Sequence, residues 1–445
     1  MPFSRRRLVR TLAALAFTPA MRSAENSGLI TLSPSPEDLE MPVTGFIDEI
    51  TPVEHFFVRC HDLIPRVDMA DWKLEIGGMV DNPKMFTLDE LKKFPHVTMA
   101  AVLECAGNGR SFYQPHMAGT QWRFGSVGNG RWTGVRLRDV MAKVGMKPGA
   151  TQILMDGADV PMGKMPDFQR TLEVKKALHP DTLLAWDMNG KPLTGEHGAP
   201  LRVIAPGWAS DSWVKWLRHL EVMDRDFEGF WMKTGYRHPA RHVAPGAAVD
   251  PKDMVPVTDL NVKSIVASPE FAAKPGVVTV VGMAWSNAAP VTKVDISTDA
   301  GKSWAPAKLG GTPTKYGFRR FTYAWRAKEG EYTVISRATN AAGQSQPMEP
   351  EWNPSGYLYN AAQARTIHIG DGFSGLDSGP VPQFPPAPAG YKQACFTCHD
   401  DHMMKQQHLT RAQWDREITK MTGWGADLKA DDRAGLLDYL AANFK

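Results

Sequence analysis

Cysteine is scarce in this chain, with four residues among 445, at positions 60, 105, 395 and 398. So few cysteines do not indicate the kind of disulfide framework that stabilises small secreted domains. Beyond the N-terminus no apolar run reaches the roughly 18 residues that a membrane-spanning helix needs, so no membrane span is predicted. A formal net charge of +3 is too small to indicate a nucleic acid or an anionic membrane as a partner.

Two of the four cysteines form the motif Cys395-Phe396-Thr397-Cys398-His399. In c-type haem attachment, two thiols spaced C-x-x-C bond to the haem vinyl groups, and the histidine that follows ligates the iron. The alternative is a zinc or redox pair, but zinc needs a second ligand pair and no other cysteine lies nearby. The motif therefore predicts haem c held by Cys395 and Cys398, with His399 as an iron ligand.

The sixth iron ligand is predicted to be Met421. This residue follows a helical segment and precedes a glycine-rich turn, Gly423 to Gly425, where the chain can approach the haem plane. A methionine opposite a histidine gives a high reduction potential. Other candidates follow the haem cysteines closely, so that most of them cannot easily cross to the far face: His402, Met403, Met404 and His408. Met421 also continues the apolar face of Trp414 and Ile418, so a core role is the alternative.

The N-terminus resembles an export signal, predicted over residues 1–25. Arg5, Arg6 and Arg7 precede a short apolar run that is followed by small residues, and paired arginines are typical of the twin-arginine route. The alternatives are a mitochondrial presequence and a frayed basic tail. The prediction places the mature protein in the periplasm. Twin-arginine export also implies a cofactor inserted in the cytoplasm, which haem c, attached after export, cannot be.

Pattern changes along the chain predict a multidomain protein. Residues 42–260 mix short strands and helices and indicate an α+β domain, whereas residues 261–369 alternate with period two and indicate an immunoglobulin-like β-sandwich. Residues 370–390 are proline-rich and indicate a semi-extended linker. Residues 391–445 are helical, with a capping box at Thr410, and predict a small all-α cytochrome c domain whose haem supplies missing core.

Cys105 lies in the turn Leu103-Glu104-Cys105-Ala106-Gly107-Asn108-Gly109-Arg110. The residues alone allow a reactive thiol near arginines or a small buried residue in a tight turn. The segment resembles the molybdenum-cysteine motif of the sulfite oxidase family. Further blocks resemble that family in the same order, and together they span about residues 42–369: Phe56 to His61, Leu183 to Gly190, His197 to Arg202, Val214 to Leu217, Val294 to Trp304 and Trp352 to Asn360.

The resemblance implies a pyranopterin molybdenum cofactor with Cys105 as the protein thiolate, and a dimerisation role for the sandwich domain. It also implies that Arg59 and Arg110 line an anion pocket, whose aromatic wall is Trp122. Arg365 matches a third pocket arginine less well, because the spacing before it differs by about one residue. The positions that match residues holding the pterin and its phosphate are His61, His197, Arg202 and Lys215.

Three positions depart from the family pattern. Trp186 stands where a tyrosine is usual, and an indole can donate a hydrogen bond but cannot accept one; we predict Trp186 as a catalytic-site residue, with plain packing as the alternative. Cys60 replaces an asparagine. The stretch Ser210 to Trp213 replaces one with an arginine, so one contact to the cofactor phosphate is expected to be lost.

The predicted function is that of a periplasmic sulfite dehydrogenase, with sulfite oxidised at molybdenum and electrons passed through haem c to an external cytochrome c. The resemblance also implies a homodimer. An alternative in the same family is a sulfane-sulfur dehydrogenase of thiosulfate oxidation. A different alternative is a non-catalytic electron-transfer or interaction module with a decayed molybdenum domain, but the retained Cys105, Arg59 and Arg110 favour the enzyme.

Overall fold

The computed structural model describes residues 28–311, 313–371 and 383–445. The predicted export signal, residues 1–25, lies outside the described residues, as does most of the predicted linker 370–390. A three-stranded antiparallel sheet comes first, built from β1 (Ile30–Pro34), β2 (Glu37–Glu40) and β3 (Val58–Arg59). In the described ranges, no helix has the length and apolar character needed to cross a bilayer.

The region up to residue 260 is mixed α and β, as predicted, with two five-stranded sheets. The strands of these sheets are β4 (Leu74–Gly78), β5 (Lys84–Phe86), β6 (His96–Glu104), β7 (Val127–Arg136), β8 (Gln152–Asp156), β9 (Gln169–Glu173), β10 (Leu183–Met188), β11 (Lys191–Pro192), β12 (Arg202–Ile204) and β13 (His219–Met223). One sheet has the order β11-β10-β7-β6 with β12 beside β10, and the other has the order β5-β4-β13-β8-β9. A separate two-stranded sheet is formed by β14 (Arg237–Pro239) and β15 (Met254–Pro256).

The helices of this region are short and locally encoded. They are α1 (Leu88–Leu91), α2 (Leu137–Val144), α3 (Val174–Ala177) and α4 (Phe230–Lys233). A capping box between Thr87 and Glu90 begins α1. The apolar side chains of α2 recur with helical spacing and are buried, and the helix ends at Gly145, whose φ of 71° suits glycine. Short 3-10 helices lie at Val43–Gly45, Val53–His55, Arg110–Phe112, Ser210–Ser212, Pro251–Asp253 and Ala430–Asp432.

Residues from 263 to 369 form a β-sandwich. The strands are β16 (Lys263–Ser268), β17 (Ala272–Ala273), β18 (Gly276–Trp285), β19 (Val291–Ser297), β20 (Ala305–Pro306), β21 (Lys308–Leu309), β22 (Arg319–Ala327), β23 (Gly330–Asn340) and β24 (Ala364–Ile369). One sheet has the order β16-β18-β22-β21 and the other the order β17-β24-β23-β19-β20. Along β18 the buried Val278 and Val280 alternate with exposed neighbours, which is the pattern of a strand with one face on a core.

The described residues after 390 are helical, as predicted. The helices are α5 (Tyr391–Cys395), α6 (His402–Lys405), α7 (Arg411–Gly423) and α8 (Arg433–Asn443). The capping box predicted at Thr410 is present, with Gln413 as its partner. A small apolar core joins α7 to α8 through Trp414, Ile418 and Leu436.

A second apolar core crosses the boundary between the α+β region and the sandwich. It combines Phe46, Val102 and Val127 from the first with Ile265 and Trp285 from the second. Phe46 stacks on Trp285 with 6.0 Å between ring centroids. The two regions are therefore packed as one body and do not merely touch at their surfaces.

Candidate molybdenum and haem sites

The loop after β6 presents Cys105 to a cavity. The Cys105 amide donates to Ser126 O at 2.9 Å, and the Cys105 carbonyl accepts from Asn108 N at 2.9 Å, so the backbone is fixed on both sides of the thiol. Cys105 is buried. Burial raises the pKa of this thiol, although the nearby Arg59 guanidinium acts to lower it. A bound metal would hold the thiolate form that the buried site disfavours.

The Arg110 guanidinium lies against two glycines, Gly107 of the Cys105 motif and Gly119. A Cβ added at Gly107 would lie 2.9 Å from Arg110 Nη2, and one at Gly119 would lie 2.8 Å from Arg110 Nη1. Both glycines therefore make room for this guanidinium, which donates to Thr120 O at 2.9 Å and lies over the Tyr357 ring at 5.2 Å. Arg110 Nε has no partner, and no carboxylate lies within ion-pair distance of Arg110 among the described residues. Its positive charge is available to an anion.

Arg59 faces the same cavity from the end of β3. Its guanidinium pairs with Asp38 at 3.1 Å and also donates to the Cys60 carbonyl. Asp38 is buried and accepts a further hydrogen bond from Thr120 Oγ1 at 2.7 Å. Asp38 neutralises Arg59 and fixes its orientation, so the net positive charge of the pocket comes from Arg110.

A cavity of about 460 Å³ contains the predicted anion pocket. Trp122 is buried and lines it, as predicted, with its ring edge against Phe57 at 6.4 Å between centroids. The structure brings these predicted residues together at the cavity: Arg59, His61, Cys105, Arg110 and Trp122.

Two predicted pocket residues do not reach this cavity. Trp186 lies in β10 within the main apolar core and packs against His96 with 5.1 Å between centroids. Arg365 lies in β24, donates to Glu270 O at 2.9 Å and lies over the rings of Phe124 and Phe271. Trp186 therefore has the position that the packing alternative describes, and Arg365 is held where the sandwich meets the loop at Phe124.

Sequence reasoning missed Tyr236, which supplies a phenol to the cavity. Its Oη lies 2.7 Å from His61 Nε2, and its ring stacks on Tyr357 at 5.4 Å. Burial raises the pKa of Tyr236 well above its ordinary value, so the phenol keeps its proton. A φ of 52° is unusual for a tyrosine and is the kind of strained backbone that clusters at functional sites. The sequence signal was only a tyrosine between Gly235 and Arg237.

His61 connects Tyr236 to an aromatic wall. Its ring stacks on Phe168 at 4.2 Å and meets Trp231 at 4.7 Å. Burial lowers the pKa of His61 well below its ordinary value, and the positive charge of Arg59 acts in the same direction. His61 is therefore a neutral hydrogen-bonding group beside the cavity.

A second cavity of about 60 Å³ lies behind Cys105 and is lined by the predicted pterin residues His197, Arg202 and Lys215. Arg202 donates to His197 O at 2.9 Å and to Trp213 O at 3.1 Å, while its Nε has no partner. No carboxylate pairs with Arg202 among the described residues, and burial lowers its pKa to about 9. A buried guanidinium without a counter-ion fits an anionic group such as the cofactor phosphate.

The other basic residues of this cavity contribute donors of different kinds. Lys215 Nζ lies 3.2 Å from Cys60 Sγ and donates to Glu196 O at 3.0 Å. Burial lowers the pKa of His197 to about 4, and Arg202 acts in the same direction, so His197 is neutral. In the stretch Ser210 to Trp213, which departs from the family pattern, the Asp211 carboxylate pairs with the buried Arg170 guanidinium at 2.5 Å. Together with the Cys105 sulfur, a soft ligand suited to molybdenum, these residues fit a pyranopterin cofactor.

The predicted haem residues line the 460 Å³ cavity from its other side. Cys395, Cys398, His399 and Met421 all face it. His399 Nδ1 lies 2.9 Å from Asp400 O, an arrangement that leaves Nε2 for iron. Two thiols, an imidazole and a thioether at one cavity wall fit a covalently attached haem.

The other candidates for the sixth iron ligand lie at different positions relative to the cavity. His402 lies 3.2 Å from Asp400, and His408 Nδ1 lies 2.6 Å from Lys445 O; neither lines the cavity. Met403 and Met404 line it and also pack into the helical core. Met421 lines the cavity but is not part of that core, which favours ligation over packing.

Contacts between the helical segment and the α+β region form what we call the junction. Gln121 N donates to Gln406 Oε1 at 2.7 Å, and Gln407 Nε2 donates to Gly119 O at 3.0 Å. Trp424 packs against Trp231 at 6.3 Å, and its carbonyl accepts from Lys164 N at 2.7 Å. Because the junction closes around one cavity, the Cys105 pocket and the Cys395–Cys398 crevice are continuous.

Two family models match this chain. The oxidoreductase molybdopterin binding domain matches residues 61–231, and the Mo-co oxidoreductase dimerisation domain matches residues 254–369. Sulfite oxidase from Gallus gallus is 32% identical over 356 residues, which cover 76% of this chain and 76% of that protein.

The chain belongs to the sulfite oxidase family.

Other members of the sulfite oxidase family extend the comparison. Mitochondrial sulfite oxidase from Drosophila melanogaster is 32% identical over 365 residues, which cover 76% of this chain but 62% of that protein. The chain thus spans somewhat less than two thirds of the length of several curated relatives. The crystal structure of the sulfane dehydrogenase SoxCD from Paracoccus pantotrophus matches with a TM-score of 0.68 and 26% identity, over 81% of this chain and 93% of that one. The two family models end before the helical segment that carries Cys395 and Cys398.

Proposed function

We propose that this protein is a sulfite dehydrogenase that oxidises sulfite to sulfate and passes the electrons through its own haem c to an external cytochrome c. The observation that carries the proposal is the single cavity lined at one end by Cys105, Arg59 and Arg110 and at the other by Cys395 and His399. Because these residues line one cavity, a haem held by Cys395 and Cys398 would be positioned to accept electrons within the same chain.

Each residue of the pocket would have a different role in binding the substrate. Arg110, with an unneutralised guanidinium, supplies the main attraction for a doubly charged oxyanion, and Arg59, held by Asp38, orients it. Tyr236 offers a protonated phenol to an oxygen, and Trp122 excludes water. Molybdenum held by Cys105 would supply oxygen-atom transfer and accept the two electrons. Oxidation of sulfite with one water gives sulfate, two protons and two electrons, and the electrons leave singly because haem iron takes one at a time.

The test is sulfite-dependent haem reduction in the purified protein, together with its molybdenum content. We expect about one molybdenum for each chain, and rapid haem reduction that is lost in Cys105→Ser while the haem spectrum is retained. Substantial turnover in Cys105→Ser would refute the assignment. Faster reduction by a sulfane-sulfur substrate than by sulfite would favour the alternative of sulfane dehydrogenation. A preparation that contains no molybdenum and shows no sulfite-dependent haem reduction would favour a non-catalytic module.

We further propose that the protein acts in the periplasm as a homodimer. The match of residues 254–369 to a dimerisation domain supports the dimer, which would be isologous. A monomeric mass in solution at micromolar concentration would contradict it. For location, changing Arg5 and Arg6 to lysine should retain the protein in the cytoplasm; unaltered export of that variant would refute the twin-arginine route.

A further inference from the structure

Glu104, which immediately precedes Cys105, is hydrogen-bonded to the sandwich domain. Its carboxylate is buried and accepts from Lys263 Nζ at 2.5 Å and from Trp285 Nε1 at 2.7 Å. Asn108 Nδ2 donates the third hydrogen bond, at 2.9 Å. Two of the three donors therefore come from the other domain, on strands β16 and β18.

The same donors reach the backbone of Cys105 by a second path. Lys263 Nζ also donates to Asn108 O at 3.2 Å, and Asn108 Oδ1 accepts from Ser126 Oγ at 3.0 Å. Ser126 O in turn accepts the Cys105 amide at 2.9 Å. The loop that carries the thiol is thus held at Glu104, at Cys105 and at Asn108 by one buried hydrogen-bonded unit.

The charges of this unit are unusual for their position. Buried ion pairs add little stability compared with apolar side chains of the same volume, so stability alone gives no reason for one here. A lone carboxylate beside a metal-bound thiolate would oppose any further negative charge on the metal, and Lys263 cancels that effect. Both side chains are buried, and charges act more strongly there than in water.

We propose that Glu104, Lys263 and Trp285 form an interdomain positioning unit through which the sandwich domain fixes Cys105 and sets the electrostatic potential at its sulfur. The inference rests on the proposed function, because it requires molybdenum at Cys105. These three residues are positioning residues: they act through the Cys105 loop, and none lines either cavity.

The test compares Glu104→Gln, Lys263→Met and the double variant by redox titration of the Mo(V) electron paramagnetic resonance signal. Glu104→Gln removes a negative charge and should raise the molybdenum potential. Lys263→Met removes a positive charge and should lower it, and the double variant should return close to wild type. Lys293→Met removes a surface lysine of the same domain, which pairs with Asp295 at 2.8 Å, and should leave the potential unchanged.

The outcomes separate the inference from a structural role. Shifts in the same direction in both single variants, or no shift in either, would refute the inference. If Lys263→Met is not recovered folded, Trp285→Phe removes one donor without changing the charge, and an unaltered Mo(V) spectrum in that variant would refute it. A wild-type protein without molybdenum would refute the proposed function and the inference with it, whereas a loaded wild type with same-direction shifts refutes the inference alone.

Discussion

Trp424 should hold much of the junction together, and its replacement by alanine should loosen it. The ring packs against Phe230 at 5.6 Å and Trp231 at 6.3 Å between centroids, while the Trp424 carbonyl accepts from Lys164 N. Alanine keeps the carbonyl and removes both ring contacts. At roughly 0.5–1.5 kcal/mol for each aromatic pair, the docked arrangement should lose about 1–3 kcal/mol.

Amide hydrogen exchange measures that loss directly, because the Lys164 amide is protected by a hydrogen bond that crosses the junction. A loss of about 1–3 kcal/mol corresponds to exchange roughly 5- to 150-fold faster at Lys164. The Gln121 amide, which donates to Gln406 across the same junction, should accelerate with it. Amides of β6 and β7, which pair within the α+β region, should keep their wild-type rates.

The matched control is Trp304→Ala. Trp304 is 36% exposed on a turn of the sandwich and donates to Gly301 O within that turn. Its loss should leave exchange at Lys164 and Gln121 unchanged. Equal exchange in Trp424→Ala and wild type at both amides would refute a junction held by these ring contacts.

Four further predictions follow from the cavity. The pKa of His197 is lowered to about 4, so this histidine stays neutral in the folded protein, whereas in the unfolded chain it binds a proton below about pH 6.5. The free energy of unfolding should therefore be unaffected by His197 above pH 6.5 and should fall by about 3 kcal/mol as the pH drops toward 4. Denaturant titrations of wild type and His197→Gln should differ by this pH dependence. Tyr236→Phe should lower kcat with the haem spectrum intact; unchanged kcat in steady-state assays would remove the phenol from the reaction. Arg110→Met should mainly raise KM for sulfite, by roughly 10-fold or more since a hydrogen bond to a charged group contributes about 1.5–3 kcal/mol, and an unaltered KM would exclude it from binding. Met421→His should lower the haem potential and abolish the near-infrared thioether-to-iron band; survival of the band would assign the ligand to another methionine.

Residues in short local motifs could be predicted from the sequence, and the structure places them together. Cys395, Cys398 and His399 were identified from their spacing alone, whereas Cys105 and Arg110 were assigned from the resemblance of several separated sequence blocks to a family. Strand periodicity likewise predicted the sandwich. The haem-motif spacing and the strand periodicity are encoded within a few residues, so no long-range information is needed to find them.

Contacts between distant parts of the chain could not be predicted. Tyr236 and His61 are hydrogen-bonded although 175 residues apart, and no local pattern marks that pairing. Trp186 and Arg365 were predicted as pocket residues from motif position and do not line the cavity, because motif position does not fix the direction of a side chain. Trp186 lies in a strand inside the core, and Arg365 lies against the Phe124 loop. The continuous cavity was unforeseeable, since it depends on how the helical segment docks.

The apolar core that joins Phe46, Val102 and Val127 to Ile265 and Trp285 has a consequence for how the protein melts. Separate domains with thin interfaces unfold in separate calorimetric steps, but here neither the α+β region nor the sandwich keeps a complete interior without the other. Heating should therefore give a single endotherm for residues 28–371, with an enthalpy appropriate to their combined size. Cutting the chain at residue 260 should yield two parts that each expose apolar surface and aggregate. The change of sequence pattern near residue 260 therefore does not separate two regions that unfold independently.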